Sequence, residues 1–106
     1  WTPTATAGSI AGSNISYAGK YTRIGDTVHI NLKISATAND LVIGSYVGIS
    51  GLPFTVNETA SGYYSTEDIE LHHGGEANAG GTAVYLSAGG SATSTQNIYL
   101  SLTYYV

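Results

Sequence analysis

Cysteine is missing from this chain of 106 residues, and with it disulfides, thiolate nucleophiles and thiolate metal ligands. Charge is scarce: Asp, Glu, Lys and Arg make up 9% of the residues, where an ordinary soluble domain has about 25%. Cations are scarcest. Lys20, Arg23 and Lys33 stand against seven acids, for a formal charge of -4, which argues against nucleic acid as a partner because few phosphates can be neutralised. No apolar run approaches the ~20 residues that cross a bilayer as a helix, and no signal-peptide pattern is visible. A chain that opens on Trp1 and holds no Met reads as a piece of something longer. Helical periodicity is absent as well: Gly occurs 14 times, and no segment sustains an apolar period of 3.6.

Period two takes its place. In Val28-His29-Ile30-Asn31-Leu32-Lys33-Ile34-Ser35 the apolar side chains at 28, 30, 32 and 34 share one face and the polar ones share the other. Short strands are predicted near Ile15-Ala18, Lys20-Ile24, Thr27-Thr37, Tyr46-Ser50, Tyr63-Tyr64, Asp68-His73, Thr82-Ala88 and Asn97-Tyr105. Turn signals separate them at Gly25-Asp26, Asn39-Asp40, Gly51 to Pro53, Gly74-Gly75, Gly80-Gly81 and Gly89-Gly90. About eight strands at this spacing predict an all-β fold, an antiparallel β-sandwich of jelly-roll type. Residues 1–9 read as an extended lead-in from an upstream region, anchored by Trp1, and residues 10–106 as a single sandwich domain. A two-residue Gly25-Asp26 loop would be a type II′ turn and pair Arg23 with Val28 on the apolar face. A three-residue loop with a bulge would turn Arg23 outward, and is favoured because it avoids desolvating a guanidinium. The final strand places Tyr99 and Tyr105 on its polar side, which predicts cover on both faces, from this chain or a neighbouring subunit.

The hairpin Tyr21-Thr22-Arg23-Ile24-Gly25-Asp26-Thr27-Val28, followed by Ile49-Ser50-Gly51-Leu52-Pro53-Phe54-Thr55, resembles β-rich modules near the C-terminal ends of tailed-bacteriophage tail fibres and tailspikes. The resemblance covers about the first half of the chain and carries no catalytic motif. It implies a virion tail location outside the cell, a homotrimer about a threefold axis, and recognition of a host-surface polysaccharide or lipopolysaccharide. The family supplies no binding motif, so no residue role carries over.

Chemistry-bearing residues concentrate in Thr66-Glu67-Asp68-Ile69-Glu70-Leu71-His72-His73-Gly74-Gly75-Glu76. Asp68 and Glu70, on one strand face about 6.5–7 Å apart by Cα, meet the spacing of a glycosidase carboxylate pair, but so small a domain leaves little room for a cleft. His72 and His73 point to opposite faces of a regular strand and cannot share one metal ion, although a trimer axis would permit three copies to converge. A Ser-His-Asp set can be drawn around His29, His72 and His73, but no nucleophile elbow accompanies it. The plainest account is a solvated acidic edge. In a binding role, carboxylates and imidazoles hydrogen-bond sugar hydroxyls while tyrosine faces stack on the ring. Tyr63, Tyr64, Glu67, Asp68, His72, His73 and Glu76 are therefore the expected glycan site, with no catalytic residue, metal or cofactor. Two other classes compete: a structural trimerisation or decoration module without a ligand, and a small glycan-active enzyme.

Overall fold

The computed structural model describes residues 1–66, 73–87 and 96–106; at 6–9, 44, 45 and 73 it describes the backbone alone. Among the described residues eight strands form: β1 (Thr4–Ala11), β2 (Ser16–Ile24), β3 (Thr27–Ser35), β4 (Val42–Ser50), β5 (Ala60–Thr66), β6 (His73–Ala77), β7 (Ala83–Ser87) and β8 (Asn97–Tyr105). They pair antiparallel in the order β1-β4-β7-β6-β5-β8-β3-β2, a single sheet curled nearly closed into a barrel. The all-β, antiparallel, eight-stranded expectation holds. Alternation decides the rest: Val28, Ile30, Leu32 and Ile34 of β3 and Ile98, Leu100, Leu102 and Tyr104 of β8 are all buried. Val47 and Ile49 of β4 and Val84 and Leu86 of β7 complete one core with them.

The β2–β3 hairpin closes without a bulge. Ile24 pairs with Thr27 and Arg23 with Val28, so the loop is the two residues Gly25 and Asp26, and the favoured bulged register is corrected. A φ of 59° at Gly25, with no positive φ at Asp26, fits type II′. Arg23 does share the side of Val28, but it stays exposed because β2 is an edge strand. Its Nε donates to Gly25 O at 2.8 Å and its guanidinium lies 4.6 Å from the centroid of Phe54, so the cation is never stripped of partners. Tyr21 meets the same Phe54 ring edge-on at 5.6 Å. The connection from Gly51 to Thr59 thus caps one end of the barrel, with Leu52 and Val56 buried beneath it. Backbone bonds fasten it, Leu52 N to Thr82 O at 3.0 Å and Asn57 N to Tyr105 O at 2.7 Å.

Two further departures have physical causes. The lead-in segment is itself strand β1, paired along β4 with two register shifts; its Thr, Ala and Gly residues carry too little apolar alternation to announce a strand. Gly74 and Gly75, read as a turn, lie inside β6 opposite Tyr63 and Gly62. Glycine is needed at 75 because a Cβ would stand 2.9 Å from Leu100 Cδ1 and 3.3 Å from Leu86 Cδ2. The outer side of β8 is open in the single chain, with Tyr99 and Tyr105 exposed.

Edge strands β1 and β2 stand at opposite ends of the strand order, and the start of the chain packs against β2. Trp1 lies against Gly19, where any Cβ would strike the indole, and its amino group reaches Gly19 O at 3.5 Å. At the other end of the barrel the Asp40 carboxylate accepts bonds from Ser13 N at 3.1 Å and from Ser13 Oγ. Those two bonds hold the Asp40 carboxyl below its ordinary value.

Neighbouring glycines differ sharply in what they tolerate. A Cβ at Gly62 would fall on the Ser101 carbonyl oxygen, whereas one at Gly74 meets nothing within 4 Å. Gly62→Ala is expected to cost roughly 1–3 kcal/mol by overpacking. Gly74→Ala is expected to stay within about 0.5 kcal/mol of the parent. Urea unfolding of the two variants checks the pair.

Candidate functional site

The outer faces of β4, β7, β6 and β5 carry the site. Side chains whose neighbours in sequence are buried must point outward, so Tyr46 beside Val47 and Tyr85 between Val84 and Leu86 stand on the surface, 47% and 38% exposed. Tyr46 pairs with Ser87 and Gly48 with Tyr85, which sets the two tyrosines diagonally across β4 and β7. Glu76 of β6 stands directly opposite Tyr85, and Ser61 of β5 opposite Glu76. Over Gly62, Gly74 and Gly75, where no side chains rise, an open cleft of about 330 Å³ forms, lined further by Tyr46, Ser61, Glu76, Tyr85, Leu86 and Ser87. That is the lower end of the size range of small-molecule sites. Two aromatic faces, one carboxylate and two hydroxyls around a shallow floor can stack against a pyranose and bond its hydroxyls.

The expected site residues divide. Glu76 lines the cleft. Tyr63, opposite Gly74, projects outward beside it and is 65% exposed. Tyr64 points the other way, as adjacent strand residues must; it is 2% exposed and its hydroxyl donates to Ser87 O at 2.9 Å, so it braces the cleft from below without facing a ligand. Glu67, Asp68 and His72 lie outside the described residues, as does Glu70 of the carboxylate pair, and the backbone of His73 pairs with Tyr64. Tyr46, Tyr85, Ser61 and Ser87 were not singled out for this site. Parity was the available signal for the tyrosines, since Tyr85 interrupts the apolar pair Val84 and Leu86 and Tyr46 adjoins the buried Val47.

Among the described residues no three His, Asp or Glu side chains come together as metal ligands. Among the described residues, the closest approach to a hydrolytic arrangement is His29, whose Nδ1 is 2.8 Å from Thr103 Oγ1 and whose Nε2 is 3.2 Å from Ser101 Oγ. A threonine hydroxyl in the acid's place cannot stabilise an imidazolium as a carboxylate does. No family model, curated protein or solved structure matches the chain.

Burial pushes the hydroxyls of Tyr17 and Tyr104 up, and that of Tyr64 up to about 12 from an ordinary 10.0. Above pH 10 the unfolded chain releases these protons while the folded chain keeps them, so stability is full below that pH and declines through about 12. Tyr64→Phe is expected to cost about 1 kcal/mol at neutral pH through the lost bond to Ser87, and to make the alkaline decline shallower. Urea unfolding between pH 8 and 12 reads both effects; an unchanged slope would remove Tyr64 from this account.

Proposed function

We propose that the chain is a glycan-recognition module that binds a sugar in the Tyr46–Tyr85 cleft without turning it over. One observation carries the reading: two exposed tyrosines flank a carboxylate over a glycine floor, on a rigid sheet. Rings held by strand pairing lose little freedom on binding, and Glu76 with the serine hydroxyls fixes orientation. The charge-poor surface suits a neutral ligand in the cleft. The resemblance to phage tail-fibre and tailspike domains supports a host-surface polysaccharide or lipopolysaccharide as the source, and a trimeric assembly at the virion tail. The exposed Tyr99 and Tyr105 give such a trimer rings to bury.

A glycan microarray identifies the ligand, and titration of the best hit against variants tests the site. Tyr46→Ala and Tyr85→Ala are each expected to weaken binding by about tenfold or more. Gly74→Leu grows into open space, so it is expected to fold normally and block the cleft. Retained affinity in all three variants would move the sugar elsewhere. Sedimentation equilibrium tests the trimer separately: three times the 10.9 kDa chain mass supports it, and a monomer removes it.

A further inference from the structure

A second surface lies on other strands. Lys20, Asn31 and Ser101 stand in one outer row across β2, β3 and β8, through the pairs Lys20↔Asn31 and Asn31↔Ser101. His29 and Lys33 flank Asn31 along β3, each about 6.5–7 Å away by Cα on the same face. The hydroxyls of Thr103 and Ser101 fix the His29 ring, and the Lys33 ammonium lies 5.8 Å from the Tyr99 ring centroid. Lys20 and Lys33 are two of the three cations in a chain of net charge -4. The described acids lie elsewhere: Asp26 in the hairpin turn, Asp40 bonded to Ser13, Glu58 between β4 and β5, and Glu76 on β6. Positive charge is therefore gathered on one face with no described acid among it; Asn31 adjoins both lysines, Lys20 across the β2–β3 pair and Lys33 along β3, and Ser101 follows Asn31 on β8. Tyr63, opposite Ser101 on β5, sets an exposed ring against this patch.

We infer that this face binds the carboxylate of an acidic sugar, a uronate, between Lys20 and Lys33. The ammonium groups supply charge, Asn31 and Ser101 donate hydrogen bonds, and the Tyr63 ring takes the sugar's apolar face. The aromatic neighbour is what favours a sugar acid over bare phosphate, which has no apolar face to stack. The cleft of Tyr46 and Tyr85 plays no part in it, so either site stands if the other fails.

Titration of the ¹⁵N-labelled chain with trigalacturonate, its methyl ester and inorganic phosphate tests the assignment by NMR. Trigalacturonate is expected to shift the amides of Lys20, Asn31, Lys33 and Ser101, and the uncharged ester to leave them unmoved. Added salt is expected to weaken the effect, because the charges are exposed. The double variant Lys20→Gln/Lys33→Gln is expected to keep the parent melting temperature and to bind about tenfold more weakly or worse. Tyr46→Ala, which removes a ring of the cleft on β4, is expected to leave this titration intact. Equal binding of the ester, undiminished binding in the double variant, shifts confined to Tyr46, Tyr85 and Glu76, or no shift with trigalacturonate would each overturn the inference. Phosphate matching trigalacturonate in affinity and in the amides moved would overturn the sugar assignment.

Discussion

The register between β3 and β8 is the constraint on which the other features rest. Nine consecutive pairs run from Thr27↔Tyr105 to Ser35↔Asn97 without a shift. Four of them, Val28↔Tyr104, Ile30↔Leu102, Leu32↔Leu100 and Ile34↔Ile98, are buried on both strands. Each such side chain contributes roughly 1.5–3 kcal/mol by leaving water. A slip of one residue would exchange the faces, sending His29, Asn31 and Lys33 inward and leaving the aliphatic rows in solvent. The penalty for that exchange fixes the inner surface, and strand geometry then fixes the outer one. The lysine face follows from burial on the other side of β3 and β8, and the tyrosine cleft from the same alternation on β4, β5, β6 and β7.

Much of this was legible beforehand. Strand β8 appears with the bounds its alternation gives, and β3 differs only at its end, because a 2-residue period over eight or nine positions has no competing interpretation. The pairs Tyr63-Tyr64 and Tyr104-Tyr105 each divide into one buried and one exposed ring, as parity requires. Reading was weakest where side chains are small. Thr4–Ala11 forms a strand by pairing with β4, a tertiary cause that local composition does not display. Gly74 and Gly75 looked like punctuation and are strand residues, one beneath crowded leucines and the other beneath open space. The cleft escaped notice for a related reason. It joins Tyr46 to Glu76 through neighbours that are distant in sequence, and a list of nearby polar residues is not ordered by strand pairing.

The two segments that carry the phage-fibre resemblance prove to be one structural unit. Tyr21 and Arg23 come from the first, Phe54 from the second, and all three meet at a single ring. Tyr104 lies buried at the same end; its hydroxyl is pushed up by desolvation, offset in part by the Phe54 backbone. These motifs therefore close an end of the barrel. Their chemistry is that of a lid: an aromatic edge contact, a cation over a ring and a glycine-initiated turn. The cleft and the lysine face lie on the outer faces of the strands, apart from this lid.

Alternation along each strand also separates two kinds of evolutionary change. Positions such as 46, 74, 76 and 85 face outward, and a new side chain at Gly74 would touch no described atom within 4 Å of its Cβ. Substitutions there exchange one surface chemistry for another while the aliphatic rows beneath go on folding the barrel. Substitution at these surface positions thus draws little on stability, whereas truncation in the inner rows is costly. On such a scaffold the outer surface can be rewritten one position at a time while the inner rows go on supplying the burial that folds it.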